Sequence, residues 1–189
     1  MPIFYLIMGH LLGDFVFQPN SLIKWKFKSW KGTLVHSFVI SFFSGVLLFP
    51  YLGNSKAWLL LGLMCLGHFA QDCIKVAYMK TERGAAAIWP FFIDQMLHIL
   101  LICLLGAEFN SLSMINLPTS FLNVYLSENL VIFGILDITF TFALDILKFE
   151  LYRVKHGQAK YHRDYCGIVH RLLAFVLSFA AFLIVVSLR

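Results

Sequence analysis

Charged residues are scarce in this sequence. Of its 189 residues only 13% are Asp, Glu, Lys or Arg, whereas 60% are hydrophobic and the mean hydropathy is +0.80. A soluble domain contains about 25% charged and about 45–50% apolar residues. A chain of this length has too small an interior to bury so much apolar surface, which excludes an ordinary water-soluble domain. Lipid is the solvent that fits this composition.

The sequence also lacks the short signatures of many soluble enzymes. No nucleotide-binding glycine loop, nucleophile elbow or zinc-finger spacing is present. The four cysteines form no CxxC pair, and small core residues are their simplest interpretation: Cys65, Cys73, Cys103 and Cys166. The first apolar run has neither the basic start nor the small-residue cleavage site of a signal peptide, so we expect it to remain as a helix.

Long apolar runs make up most of the chain. A helix needs about 20 mainly apolar residues to cross the bilayer core. Six stretches reach or approach that length: 2–18, 33–52, 57–79, 87–106, 124–148 and 166–188. Segment 107–123, with several asparagines and a proline, is expected to be a loop at the membrane surface. The sequence therefore predicts an all-α, polytopic membrane helical bundle that forms one domain over residues 1–189.

Basic residues lie in alternate connections between these runs. The first, third and fifth connections carry lysines and arginines, whereas the second holds only Lys56 and the fourth holds none. Such clusters usually mark the cytoplasmic side of a membrane protein. The pattern predicts that both termini lie on the non-cytoplasmic side of the plasma membrane, the inner membrane of a bacterium. Membrane lipid is the expected partner, and nucleic acid is not, because orientation explains the charge of +5.

Ionisable residues inside three of the apolar runs follow one spacing. The first, third and fourth runs each contain a histidine and an aspartate four positions apart: His10 and Asp14, His68 and Asp72, Asp94 and His98. This spacing places both side chains on one face of a helix. Charged groups are costly in hydrocarbon, so they normally face the interior of a bundle and mark function. Any single pair could equally be an interhelical hydrogen bond.

The order within the pairs predicts a common depth. The first and third helices would run towards the cytoplasm and read His then Asp, while the antiparallel fourth helix reads Asp then His. Each aspartate is therefore expected nearer the cytoplasm, with its histidine about 6 Å deeper. His36, near the start of the second helix, is expected in the same layer. Seven side chains from four helices would then converge, which favours a functional site.

Imidazoles and carboxylates together are typical ligands of zinc, manganese and iron. Seven such groups exceed the need of one tetrahedral ion and would also suit two ions bridged by a carboxylate. We therefore expect a divalent transition metal, zinc or manganese first, with two ions as an alternative. Three polar residues could orient ligands or bind an anionic substrate group: Gln18, Lys75 and Gln95. Asp145 and His170 could join from the cytoplasmic side, and no catalytic residue is assigned.

These motifs resemble a bacterial membrane-protein family known as domain of unknown function 3307. The resemblance covers roughly residues 3–106 and rests on four segments. They are a His-x3-Asp-Phe-x2-Gln helix (His10, Asp14, Phe15, Gln18), a lysine-bearing connection followed by a histidine (Lys24 or Lys26, then His36), a His-x3-Asp-x2-Lys helix (His68, Asp72, Lys75) and an Asp-Gln-x2-His helix (Asp94, Gln95, His98). That family has no established activity, so the resemblance supports the site without naming its chemistry.

A looser likeness is to inner-membrane metal-dependent hydrolases. Residues 31–37 look like their Gly-x-Thr-His-Ser segment, although the threonine position departs from that pattern. Three functions are therefore expected in this order. The first is a metal-dependent hydrolase acting on a lipid-linked or phosphorylated substrate at the cytoplasmic face. The second is a subunit that transports an ion, a metal or a small solute, and the third is a structural or accessory membrane subunit.

Overall fold

The structure, a computed structural model, describes residues 1–156 and 165–187. The described part is helical throughout, with no strand. Its α-helices are, in chain order, α1 (Pro2–Leu11), α2 (Asn20–Lys28), α3 (Trp30–Leu47), α4 (Ser55–Met79), α5 (Glu82–Ala85), α6 (Trp89–Phe109), α7 (Thr119–Tyr125), α8 (Glu128–Ile138), α9 (Leu144–His156) and α10 (Tyr165–Ser187). A first π turn (Leu12–Val16) continues α1, and a second (Thr139–Ala143) joins α8 to α9.

Several helices have the length and composition of membrane spans. Three are long and apolar enough to cross a membrane: Ser55–Met79, Trp89–Phe109 and the continuous run Glu128–His156. Two more apolar helices are shorter, Pro2–Val16 and Tyr165–Leu177. The all-α prediction is therefore confirmed, and these spans indicate association with a membrane.

The distribution of side chains is reversed relative to a water-soluble bundle. Large apolar side chains cover the outside, among them Phe42 at 63%, Leu66 at 62% and Met96 at 72% exposure. Buried positions include histidines, aspartates and a lysine. Lipid can cover the apolar exterior, while the costly polar groups face one another inside. This arrangement fits the same membrane setting.

Four helices enclose the interior: α1, α3, α4 and α6 pack against one another along their lengths. One end of this bundle is an apolar core that includes Leu6, Ile40, Met64 and Ile102, each no more than 2% exposed. The polar cluster described below occupies the same interior.

Close approach of α1 and α3 depends on a small residue beside the polar cluster. A Cβ atom on Gly13 would lie only 2.9 Å from the Ile40 Cα. A side chain there would push the two backbones apart, so glycine lets the segment that carries Asp14 press against α3.

Two connections hold helices that the sequence did not predict. The first connection contains α2, and the segment expected as a loop over 107–123 ends in α7. Helix α7 is held by tertiary contacts: the Tyr125 hydroxyl donates to Leu47 O at 2.9 Å, the Tyr5 hydroxyl donates to Tyr125 O, and the two tyrosine rings stack. Of the fifth, basic connection, residues 157–164 lie outside the described range.

Candidate metal centre

Seven ionisable side chains meet inside the bundle. They come from α1 and its π turn, from α3, from α4 and from α6. Each is at most 8% exposed: His10, Asp14, His36, His68, Asp72, Asp94 and His98. The structure thus brings together all seven residues that helical spacing and depth had placed in one layer.

The paired histidine and aspartate of each helix lie on one face. Their nitrogen–oxygen distances are 3.6 Å for His10–Asp14, 3.6 Å for His68–Asp72 and 3.7 Å for His98–Asp94. Hydrogen bonds are shorter, about 2.7–3.2 Å. Two ligand atoms of a tetrahedral ion with bonds of about 2.1 Å lie about 3.4 Å apart. The pairs are therefore spaced more like ligands of a shared ion than like hydrogen-bonded partners.

Asp14 has a histidine on either side of its carboxylate. It lies in the first π turn, where Phe17 N donates to Leu12 O, and such turns are frequent at functional sites. Its Oδ1 accepts a hydrogen bond from His36 Nε2 at 2.7 Å and lies 3.9 Å from His68 Nε2. Its Oδ2 lies 3.6 Å from His10 Nε2. Two oxygens that face different histidines are what a bridging carboxylate requires.

Two lysines neutralise the other two aspartates. Lys26 Nζ lies 2.6 Å from Asp72 Oδ2, and Lys75 Nζ lies 2.5 Å from Asp94 Oδ2. Among the described residues, no lysine or arginine lies within ion-pair distance of Asp14. Asp14 is therefore a buried carboxylate whose neighbours are imidazoles and an amide.

Both predicted glutamines contact the cluster. Gln95 Nε2 donates to Asp14 Oδ2 at 3.3 Å and to Asp94 Oδ2 at 3.2 Å, while its Oε1 accepts from His10 Nε2 at 3.4 Å. Gln18 Nε2 donates to His36 Nδ1 at 3.1 Å. Because His36 also donates to Asp14, both of its ring nitrogens are engaged. These amides orient the cluster as outer partners of metal ligands usually do.

The other three histidines keep nitrogens without a hydrogen bond. They are His10 Nδ1, His68 Nε2 and both ring nitrogens of His98, all buried. Buried polar atoms are rarely left unsatisfied, and an unfilled ligand site is one explanation when several converge. The rings are also close: centroids lie 3.9 Å apart for His68 and His98, and 5.0 Å for His10 and His98.

Three overlapping groups could each hold an ion, since their ligand atoms all lie within 4.8 Å of one another. They are His10–Asp14–His98, Asp14–His36–His68 and His68–Asp72–His98. Asp14, His68 and His98 each belong to two groups, so three ions cannot bind together. The first group is the most available, because Lys26 occupies Asp72 and hydrogen bonds occupy His36.

The two C-terminal candidates are placed elsewhere. Asp145 accepts from Arg171 Nη2 at 3.1 Å, and His170 is exposed, with its Nδ1 donating to Cys166 O at 2.8 Å. Neither residue belongs to any of the three groups. The structure therefore does not bring them to the site, because the second π turn and α10 pair them locally.

Lys26 is the cluster residue that spacing within the apolar runs had not singled out as a site residue. It is only 8% exposed, although it belongs to a short helix in a basic connection. A Cβ atom on Gly32 would lie 2.6 Å from Lys26 N, so glycine in α3 allows α2 to approach closely. The signal available in the sequence was the amphipathic pattern of residues 20–28.

Comparison with known proteins identifies the family. Residues 3–126 match the family described as "Protein of unknown function (DUF3307)". This chain belongs to that family. The match extends from the start of α1 through α7 and covers every residue of the cluster. No curated protein and no solved structure matches the chain.

Proposed function

We propose that this protein is a membrane-embedded, metal-dependent hydrolase whose ion is held by histidines around Asp14. The observation that carries the proposal is the setting of that carboxylate. It is buried, it has no cationic side chain beside it, and histidines with free nitrogens surround it.

Charge balance supports a bound cation. With neutral imidazoles, Asp14, Asp72 and Asp94 outweigh Lys26 and Lys75 by one negative charge. Leaving an uncompensated charge in a buried site costs several kcal/mol. A divalent ion held by His10, Asp14 and His98 offsets that charge and also uses the unpaired nitrogens.

The same balance bears on the number of ions. One divalent ion leaves the cluster with a single positive charge, and a second would leave three. Asp14–His36–His68 is geometrically suited to a second ion that shares Asp14. We propose one zinc or manganese ion in the resting protein, with the second group filled only when an anionic substrate adds negative charge.

The bound ion would supply two things that hydrolysis needs: polarisation of the scissile bond and a water acidified towards neutral pKa. The chain itself contributes the positioning. Gln95 orients His10 and Asp14, while Lys75 presents a cation at the edge of the cluster. Donors fixed before the substrate arrives need no reorganisation during the reaction.

We further propose a six-span topology with both termini on the non-cytoplasmic side of a bacterial inner membrane. The described apolar helices and the alternation of basic connections support it. Lys26, Lys75 and all three aspartates would then lie on the cytoplasmic side of the histidines, so substrate would reach the site from that face.

One observation favours a second candidate, a proton or cation pathway. The imidazoles form a continuous file from His36 through His68 and His98 to His10, with centroids 5.2, 3.9 and 5.0 Å apart. Chains of this kind serve as relays in pumps and transporters. Proton or metal flux into proteoliposomes that is abolished in Asp72→Asn, without any hydrolysis, would replace the first proposal with this one.

The hydrolase proposal is tested by reversible activation. Purified protein in lipid nanodiscs is stripped with a chelator, reloaded with zinc or manganese, and assayed for phosphate release from a synthetic phosphomonoester panel. We expect activity that returns with metal in the wild type and stays absent in Asp14→Asn. Asp137→Asn is the matched control, because it removes a carboxylate from an apolar helix outside the three groups. Activity that survives complete removal of metal would overturn the proposal.

A further inference from the structure

A cavity of about 390 Å³ opens onto the metal centre. Asp14, Gln18, Gln95, Lys26 and Lys75 form its polar part. Ligand pockets typically measure about 300–1,000 Å³ and combine apolar walls with a few placed polar groups. This cavity has both the size and the position of a binding site for the reacting molecule.

Most of the remaining wall is apolar. It is built by α2, α4, α6 and α9: Ile23, Phe27, Met79, Phe91, Ile146 and Phe149. Helix α9 thus contributes to the site from outside the segment that matches the family. A ligand that fills this space must bring hydrocarbon as well as a polar group, because water gains nothing against such walls.

The charged groups on the wall favour an anion. Four basic residues line it, and one of them, Arg153, is neutralised by Glu150 at 2.7 Å. Lys26 and Lys75 each make one short ion pair to an aspartate. An ammonium group has three N–H donors, so each lysine retains donors for a further acceptor. A phosphate group, with its several acceptor oxygens, suits two such lysines.

The position of α2 adds a route from the bilayer. This helix carries exposed aromatic side chains on either side of the buried Lys26, Trp25 at 41% and Phe27 at 41%. Trp30 follows at 59%. Aromatic and lysine residues together are typical of helices at the headgroup level of a membrane. Phe27 also lines the cavity, so one wall of the cavity faces the interfacial region where amphiphiles reside.

From these observations we infer that the cavity binds a phosphorylated amphiphile. Its phosphate lies between Lys26 and Lys75, beside Asp14, and its hydrocarbon chain lies among the residues of α2, α6 and α9. This inference rests on the proposed function for its catalytic meaning, since it names the substrate class of that site. Binding itself requires no metal, which allows the two to be tested apart.

Three matched probes test the inference on full-length protein kept in chelator: oleoyl glycerol phosphate, monooleoylglycerol, which lacks the phosphate, and glycerol phosphate, which lacks the chain. Binding is measured by native mass spectrometry from detergent. We expect oleoyl glycerol phosphate to bind at least about 10-fold more tightly than either fragment, the effect of one charge-assisted hydrogen bond or of a buried chain. Equal binding of monooleoylglycerol would overturn the phosphate assignment, and equal binding of glycerol phosphate would identify a soluble ligand instead.

Two variants locate the probe. Lys75→Met should weaken oleoyl glycerol phosphate about 10-fold, with recovery in Lys75→Arg, while Lys80→Met on the same helix, outside the cavity wall, should have no effect. Ile146→Trp should fill the apolar part and weaken the amphiphile without removing a charge. Unchanged binding in both Lys75→Met and Ile146→Trp would place the amphiphile elsewhere and overturn the inference.

Failure of each proposal looks different. Metal-dependent hydrolysis without selective amphiphile binding would remove this inference and leave the proposed function. Selective binding in a protein that holds no metal and hydrolyses nothing would do the reverse.

Discussion

The N-terminal bundle and the C-terminal helices treat their acidic residues differently. In the C-terminal part each acid has a simple local partner: Asp137 accepts from the Thr141 hydroxyl at 3.1 Å, and Asp145 accepts from Arg171. In the N-terminal part Asp14 faces several histidines, and nitrogens on His10, His68 and His98 have no hydrogen bond. One-to-one pairing satisfies a helix interior, whereas several donors converging on one acid leave capacity for a ligand.

Burial of the helices differs in the same sense. The apolar windows of Ser55–Met79 and Trp89–Phe109 are 39% and 33% buried, against 17% for Glu128–His156. The last helix therefore turns most of its surface outward, where lipid can cover it, and has few neighbours with which to build a polar centre. This contrast teaches that the family's N-terminal segment holds the chemistry and that α9 contributes a wall.

Loss of the central carboxylate should break the comparison most strongly. Asp14→Ala removes an acid that belongs to two of the three groups, so we expect metal affinity to fall by more than about 100-fold, beyond the loss usual for an outer partner. The same change at Asp137 should leave affinity unchanged. Competition with a chelating indicator dye measures both. Equal losses at the two positions would show that they reflect disturbed helices rather than a lost ligand.

Removal of the orienting amide should have a smaller effect. Gln95→Ala deletes contacts to His10, Asp14 and Asp94, and outer partners of this kind change metal affinity by about 10–100-fold. Gln71→Ala is the control, because Gln71 donates to Leu97 O outside the cluster. The same dye titration applies. A normal affinity in Gln95→Ala would remove the orienting role assigned to the amide.

Adding a methyl group to a glycine in each region compares their packing. Gly13→Ala brings a Cβ against the α3 backbone and should lower the free energy of unfolding by about 1–3 kcal/mol. Gly134→Ala meets only the Met8 Sδ, at 3.2 Å, which a flexible side chain can yield. Helix propensity then makes that change neutral or mildly stabilising. Thermal denaturation followed by circular dichroism distinguishes them, and a stable Gly13→Ala would contradict the tight approach of α1 and α3.

Breaking a C-terminal ion pair should have the smallest effect. Arg171→Met removes the partner of Asp145, a pair that is partly exposed, so we expect a loss of about 1 kcal/mol, or a few degrees in Tm. Metal affinity should not change. A drop in metal affinity comparable to that of Gln95→Ala would show that the C-terminal pair supports the centre after all.

Helical periodicity carried most of the site prediction. The i,i+4 pairs and their reversed order in the antiparallel helix are local properties, so the sequence was enough to place His10, His68 and His98 with their aspartates in one layer. Lys26 was different, because its burial depends on how α2 leans against α3 at Gly32, a tertiary contact without a local signature. Helix α7 escaped prediction for the same reason, since contacts with α1 and α3 stabilise so short a segment.

The account depends on an ion at Asp14, and the metal content of purified wild-type protein tests it most directly. Mass spectrometry of desalted protein should find close to one zinc or manganese ion per chain, and X-ray absorption of the zinc form should show imidazole nitrogens at about 2.0–2.1 Å. Correctly folded protein that contains no stoichiometric transition metal, and takes none up when it is supplied, would contradict it.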